Sequence, residues 1–355
     1  MEKHLESQKK PLFSIVVPIY KVAKYLPTFF ECVINQTCND FECILVDDGS
    51  PDECGVLCDQ ISSQQSHIKT IHKTNGGVSS ARNIGIDNAS GEWILFFDPD
   101  DTFEYNCIET LKHFVRKNGN IDFLIFNHNY CSDKGKAIDC YQSISEKIIP
   151  DRKELELYIR SAIVNCKSFL RSPWTKLYNT AIIKNNNLYF SGRTIAEDYD
   201  FNFRYFNKVK NGIVIDVPLY NYWLHPGTAI SRYHSQALDI WLEDTSRELE
   251  WICKCPIDNK TESYDLYFKK KLSSLAYILS AEQSHNTIGL WTRLSTMMES
   301  DVMRKINLLA PIALKPSILA LLNHYLNRKS RIGASIAIFL FRNKIFFQNF
   351  CHKIF

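Results

Sequence analysis

Short apolar runs that end in acids or chain breakers alternate along this sequence with stretches whose apolar residues recur every three to four positions. Phe13-Ser14-Ile15-Val16-Val17-Pro18 is a β-branched run closed by proline and reads as a first strand. Lys21 to Gln36 carries Leu26, Phe29, Phe30 and Val33 at helical spacing, with Pro27 suited to the opening turn. Phe41 to Val46 is a second strand that runs straight into Asp47-Asp48-Gly49-Ser50-Pro51. A helix near 52–65, a short strand from Ile68 to His72, and a helix from Val78 to Asn88 behind the Asn75-Gly76-Gly77 break follow. The next strand is Trp93-Ile94-Leu95-Phe96-Phe97, which ends in Asp98-Pro99-Asp100-Asp101. Strand and helix alternating in steps of this size predict right-handed βαβ units and a parallel sheet. Ligands in such sheets sit beyond the carboxyl ends of the strands. Pro18-Ile19-Tyr20, Asp47-Asp48 and Asp98-Pro99-Asp100 all fall at those ends.

Beyond residue 120 the pattern is less regular. Ile121 to Asn127 reads as a strand, Asp151 to Asn165 as a helix, and Pro173 to Tyr178 as a turn into a short apolar element. Thr194 to Asp200 forms an acidic start to a helix, which the macrodipole favours. Gly212 to Tyr222 reads as a strand interrupted by Pro218, and His225 to Ser231 as a loop. Gln236 to Glu250, Tyr264 to Ser280 and Ile288 to Asn307 read as helices.

The acids carry the candidate chemistry. Three carboxylates within four positions repel one another unless a cation or hydrogen-bond donors compensate. Hard carboxylate oxygens suit Mg²⁺ or Mn²⁺. The plainer alternative for Asp98 to Asp101, and for Asp47-Asp48, is a solvated acidic turn. The first strand is not followed by a G-x-G-x-x-G loop, which disfavours a dehydrogenase. Nor is it followed by the glycine- and arginine-rich phosphate loop that a nucleotidyltransferase would want.

Charge adds a second feature. The net charge of +3 hides a split: from Val302 onward there are nine Lys and Arg and no Asp or Glu, leaving 33 basic against 39 acidic side chains in residues 1–301. Apolar runs such as Ile336 to Phe341 alternate with these basic residues, a composition that fits a segment lying on an anionic membrane surface, or else a helical bundle with a solvated basic face. No apolar run is long enough to span a bilayer. Nucleic acid is a poor partner, because the excess basic charge sits in an apolar tail. The twelve cysteines are scattered and are expected to be free thiols in a reducing compartment.

Taken in order, Ser14-Ile15-Val16-Val17-Pro18-Ile19-Tyr20, Val46-Asp47-Asp48-Gly49-Ser50, Asn75-Gly76-Gly77-Val78-Ser79-Ser80-Ala81-Arg82-Asn83, Phe97-Asp98-Pro99-Asp100-Asp101 and Ala196-Glu197-Asp198 resemble the family 2 glycosyltransferases over about residues 12–232. Proline at position 99 stands where a small residue is more usual. The resemblance implies the GT-A fold: α/β and Rossmann-like, with a mostly parallel central sheet flanked by helices. The expected organisation is a disordered start (1–10), the GT-A domain (11–235) and a helical C-terminal region with the basic tail (236–355). The implied reaction moves a hexose or N-acetylhexosamine from a UDP-sugar, with inversion, to a hydroxyl of a glycan acceptor. That acceptor would be lipid-linked, at the inner face of the cytoplasmic membrane, in lipopolysaccharide, capsule or exopolysaccharide synthesis. An alternative is a non-catalytic sugar or nucleotide-sugar binding module in the same pathway.

The resemblance also implies roles. Asp100, with Asp98 beside it, would hold Mn²⁺ or Mg²⁺, and Asp98 would also meet the ribose or sugar. Asp47 and Asp48 would accept hydrogen bonds from uracil and ribose. Pro18 and Tyr20 would frame the base, and Arg82 would meet a uracil carbonyl or a phosphate. Asp198 would take the acceptor's proton, with Glu197 orienting it or the acceptor. His225 would complete the metal shell or touch the diphosphate, unless it is an ordinary loop histidine. Trp174 and Lys176 would line the acceptor pocket, although Trp174 fits a plain core position equally well.

Overall fold

The computed structural model describes residues 10–132, 137–138, 144–165, 168–224, 234–254, 261–285, 297 and 299–301. Two compact units divide the chain, Met1–Leu155 with Phe169–Thr228, and Glu156–Ser168 with Ala229–Phe355.

The first unit is built on one sheet. Its early elements are β1 (Phe13–Ile19), α1 (Leu26–Ile34), β2 (Phe41–Asp47), α2 (Cys54–Gln64), β3 (Ile68–His72), α3 (Val78–Asn88) and β4 (Trp93–Phe96). Next come β5 (Thr102–Phe103), α4 (Cys107–Asn118), β6 (Phe123–Ser132), β7 (Ala137–Ile138), β8 (Lys147–Ile149) and α5 (Arg152–Val164), which belongs to the second unit from Glu156 on. Then β9 (Lys176–Asn179), α6 (Thr180–Asn185), α7 (Glu197–Phe206) and β10 (Gly212–Leu224) complete it. The strand order is β3-β2-β1-β4-β9-β6-β10-β5, with β7 on β6 and β8 on β10. β1 to β4 pair in parallel, β6 and β10 pair in parallel, and β9 runs antiparallel between the two blocks.

The buried strands are mostly apolar because both faces are covered; every residue of β1, β2 and β4 is buried, Ser14, Glu42 and Asp47 being the polar ones. β1 continues one residue past the proline that was expected to end it. β4 ends opposite Val16, and Val16 faces that side, since its carbonyl accepts from Phe97 N–H at 3.1 Å. Pro18, two residues on, turns its missing N–H toward the same side, where no strand remains to be paired. Pro218 does not break β10 either. It shifts the register against β6 between Val214 and Tyr220, as a bulge does.

The second unit, described by itself, contains α8 (Ala237–Lys254) and α9 (Thr261–His285). Leu249, Ile252, Phe268, Leu272, Leu275 and Leu279 are fully or almost fully buried. Glu248 is held by Tyr267 Oη at 2.8 Å and by Lys271 Nζ at 2.6 Å. Both helices were expected; α8 runs four residues past its expected end, and α9 extends beyond both expected ends. Most of the third expected helix, His225 and the basic tail lie outside the described residues. No helix among the described residues is long and apolar enough to cross a membrane.

Candidate active site

Carboxylates from two distant parts of the chain meet on one guanidinium. Arg82, on α3, is buried. It donates through Nη1 to Asp198 Oδ1 at 2.5 Å and through Nη2 to Asp98 Oδ1 at 3.0 Å. Glu197 Oε1 lies 3.5 Å from Nη1. Asp98 sits just past β4, while Glu197 and Asp198 open α7. The α7 cap is Ala196 in a left-handed conformation (φ 57°), an uncommon place for a residue with a Cβ and a form of strain that collects at functional sites. Asp198 therefore lies within the first turn rather than at the cap position. Burial raises the Asp198 carboxyl, Arg82 and Lys176 pull against it, Glu197 and Asp98 push with burial, and the outcome is upward. For Arg82, burial disfavours the charge, but Asp198, Asp98 and Glu197 outweigh it and the guanidinium is held protonated well beyond its ordinary value.

The acidic turn divides into an outer and an inner part. Asp98 and Asp100 are half-buried, whereas Asp101 is buried. Asp101 accepts from Tyr220 Oη at 2.7 Å and from Trp223 N–H at 2.8 Å, and the same Tyr220 hydroxyl takes the Asp98 N–H at 3.2 Å. The inner acid thus fastens the turn to β10, and Asp98 and Asp100 form its outer, half-buried part. Among the described residues no group of three His, Cys, Asp or Glu closes around a metal. Two carboxylates are nevertheless a fitting partial shell for Mg²⁺ or Mn²⁺, which take hard oxygen ligands and commonly complete their shells with water and substrate phosphate.

At the ends of β2 and β3 the acids are engaged from within the chain. Asp47 Oδ1 accepts from Ser50 N–H at 3.0 Å, and Oδ2 lies 3.0 Å from His72 Nδ1. The other nitrogen of His72 lies 2.9 Å from Asp59 Oδ1. Burial works against the Asp47 charge, but Ser50 and His72 outweigh it and hold the carboxyl below its ordinary value. Asp48 receives four donors: Lys73 Nζ, Gly76 N–H at 2.9 Å, Gly77 N–H at 2.7 Å and Asn75 Nδ2 at 3.1 Å. That set matches the roughly four acceptor sites of a carboxylate. Gly77 is the cap of α3 and has φ 85°, so the break seen in the sequence is a loop wound around the Asp48 side chain.

The remaining expected residues fall in different settings. Tyr20 is 41% exposed at the end of β1, beside Pro18 and next to Lys21, whose ammonium lies 5.2 Å from the Tyr20 ring and whose φ is 56°. Trp174 is 9% exposed and stacks on Tyr220 (4.8 Å, 9° between planes) and Tyr222 (5.4 Å, 15°), so its faces are already covered. Lys176 is 1% exposed; its ammonium donates to the Ser172 carbonyl, and burial lowers it to about 7 despite nearby Asp198. Neither side chain is presented as an open pocket wall.

Several contributors were not foreseen. Lys73 and Asn75 clamp Asp48, Asp101 anchors the turn, and the Phe190 ring lies 5.1 Å from the Arg82 guanidinium. Asn202, fully buried, donates to the Leu170 and Ser172 carbonyls and accepts from Tyr178 Oη, tying α7 to β9 and its preceding loop. Four donors from one short loop leave no periodic trace, so only the Asn-Gly-Gly breaker could have pointed there. A hollow of about 470 Å³, lined in part by Lys10, Leu12, Gly91, Glu92 and Asn179, lies at the opposite, amino-terminal ends of β1 and β4 and has no part in this acid cluster.

The profile of glycosyl transferase family 2 matches residues 14–185, which include β1 through β9 and the acid turn. That stretch is a family 2 glycosyltransferase domain. Among curated proteins, the glycosyltransferase is 29% identical over 234 residues to the uncharacterized glycosyltransferase EpsJ of Bacillus subtilis (strain 168), covering 66% of this chain and 67% of EpsJ. It is 40% identical over 111 residues to the minor teichoic acid biosynthesis protein GgaB of the same strain, covering 30% of this chain and 12% of GgaB. Among solved structures, S. aureus TarS 1-349 in complex with UDP-GlcNAc superposes with a TM-score of 0.63 at 22% identity, over 94% of this chain and 92% of that one. The likeness shows the fold, a GT-A arrangement of a mixed central sheet flanked by helices.

Proposed function

We propose that this glycosyltransferase moves a hexose or N-acetylhexosamine from a UDP-sugar, with inversion, to a hydroxyl group of a glycan acceptor during cell-surface polysaccharide synthesis. The observation that carries the reading is the meeting of Asp98 and Asp198, a hundred residues apart in sequence, on the one Arg82 guanidinium. An acid at the leaving-group end and an acid that can take a proton are thereby held within one small site, as a single displacement requires. The teichoic acid relative and the UDP-GlcNAc complex of TarS support the pathway and the donor class.

In this reading Asp198 accepts the proton of the acceptor hydroxyl as its oxygen bonds to the anomeric carbon. The bond from that carbon to the diphosphate breaks at the same time, and UDP leaves with the electron pair. A carboxylate lifted above its ordinary range by burial is a better base than an exposed one. Glu197 shares the same end of α7 and orients the acceptor or Asp198. Asp98 and Asp100 would hold a divalent cation that neutralises the diphosphate leaving group. Tyr20 and Pro18 border the nucleotide, with Asp47 at the neighbouring strand end. Residues 11–235 form the catalytic domain in this reading, and the basic tail from Val302 binds the inner membrane surface, near a lipid-linked acceptor.

The test is a panel of UDP- and other nucleotide-sugars screened for Mn²⁺-dependent release of free nucleotide, with Asp100→Asn and Asp198→Asn alongside. One UDP-sugar should be turned over, and each variant should lose about two orders of magnitude or more in kcat. Undiminished turnover by Asp198→Asn overturns its assignment as base.

A further inference from the structure

We infer that Arg82 is a positioning residue: it locks the proton-accepting end of α7 to the acidic turn after β4, and it does not bind the donor. The inference rests on the reading of Asp198 as base, and goes beyond it by giving Arg82 a role that its place in the sequence motif does not suggest.

Three observations carry it. First, the guanidinium is committed: Nη1 serves Asp198 and Nη2 serves Asp98, with Glu197 at 3.5 Å, and Nε is buried without a partner. Arginine's planar fork can grip two carboxylates at once, which a lysine ammonium cannot match. Second, its place is set by the core. Phe190 lies under the guanidinium at 5.1 Å, stacked on Phe201 at 4.1 Å and 3°, with Phe96 edge-on to both at 5.1 and 5.6 Å. Asn83, the next residue on α3, receives the Phe190 N–H at 2.7 Å and donates to its carbonyl at 3.0 Å, fixing this wall to α3. Third, it joins two elements a hundred residues apart in sequence, the turn after β4 and the first turn of α7. Ala196 is left-handed and gives α7 no side-chain cap, and the grip on Asp198 and Glu197 bridges the first turn of α7 to the acid turn. Without the cation, three acids would face one another across the site.

The test uses the full chain and UDP as probe. Arg82→Lys keeps the charge and loses the fork; Arg82→Gln is the second variant should the first fold poorly, with near-UV circular dichroism reporting the fold. UDP affinity in Mn²⁺ is measured by calorimetry, and amide hydrogen exchange is followed at residues 197–200 and at 76–78. A strut predicts exchange at 197–200 accelerated by about tenfold or more, unchanged exchange at 76–78, and a UDP Kd within about threefold of wild type. With the donor identified by the panel, kcat should fall by about a hundredfold while KM for the donor stays within about threefold. A loss of UDP affinity of about tenfold or more, with exchange at 197–200 unchanged, overturns the proposal and makes Arg82 a donor ligand. Failure of wild type to bind UDP would count against the donor class alone, because the exchange experiment decides the strut without it.

Discussion

Asp48 offers the sharpest separation between a ligand-binding acid and a loop-holding one. Its side chain is 3% exposed and accepts from Lys73, Asn75 and the Gly76 and Gly77 amides, so Asp48→Ala strands a cation and three hydrogen-bond donors at once. Removing one partner of a buried ion pair costs about 3–5 kcal/mol. Lys73 retains some access to water, with 17% of its side chain exposed, and the glycine amides can turn outward, so the lower end applies: about 3 kcal/mol. For a domain of this size that corresponds to a drop in Tm of about 6–12 °C. Chemical denaturation of wild type, Asp48→Ala, Lys73→Met and the double variant measures it. The double variant should recover about 1 kcal/mol or more relative to the sum of the singles, because no unpaired cation is left behind. UDP affinity will fall in Asp48→Ala under either reading, since the loop moves, so stability is the deciding measurement. If Asp48→Ala unfolds within about 1 kcal/mol of wild type while losing UDP binding, the acid faces the nucleotide and the loop-holding reasoning is wrong.

Three further outcomes follow from groups outside the ligand site. Glu42 is buried between Ser14, Ser90 and Lys69; burial opposes its charge, but the bonds from Lys69, Ser90 and Ser14 prevail and its folded pKa is depressed. Its stabilisation is fully present above the unfolded value near 4.5 and is lost as pH falls through the lower folded value, so Glu42→Gln should cost about 1–2 kcal/mol at neutral pH and flatten the acid limb of a stability–pH curve. Lys176 runs the other way: its folded value, about 7, lies below the ordinary 10.5, so the fold loses stability as pH drops from 10.5 toward 7 and the penalty levels off below that. Lys176→Met should therefore gain on wild type as pH falls through that window, the Ser172 carbonyl keeping Asn202 Nδ2 as a donor at 3.1 Å, and parallel curves for the two proteins would refute the buried-ammonium account. Gly49 has φ 68° and a Cβ there would lie 2.9 Å from Asn75 N, so Gly49→Ala should cost about 2 kcal/mol or more in a denaturation experiment.

What could be read from sequence and what could not follow a physical division. The central strands were legible because strands buried on both faces are largely apolar, and their ends were legible where acids cluster, a lone acid such as Glu42 being carried inside β2 by Ser14, Ser90 and Lys69. Helix α4 carries the helical period in Ile108, Leu111 and Val115, all buried, so it too is legible in the sequence. The antiparallel β9 inserted between two parallel blocks was not recoverable, since a four-residue strand has no mark of its direction. Within the site, residue type pointed to the acids but not to their partners. An aspartate free to meet a nucleotide and one saturated by its own loop have the same letter, and Asp48 is the second kind. Arg82 is the converse case: at the sequence level a lone arginine on an 11-residue helix fits a solvated face, yet here it is buried against Phe190. What decides its environment is that residues 190 and 197–198 fold back over α3, a long-range contact of more than a hundred positions. Acids are costly to bring together, so a fold that gathers Asp98, Glu197 and Asp198 must supply a counter-charge from within, and the only side chain with the reach and the planar fork to serve two of them at once is an arginine. Carboxylates converging from separate elements therefore call for a compensating cation or set of donors, and here Arg82 serves Asp98 and Asp198 together.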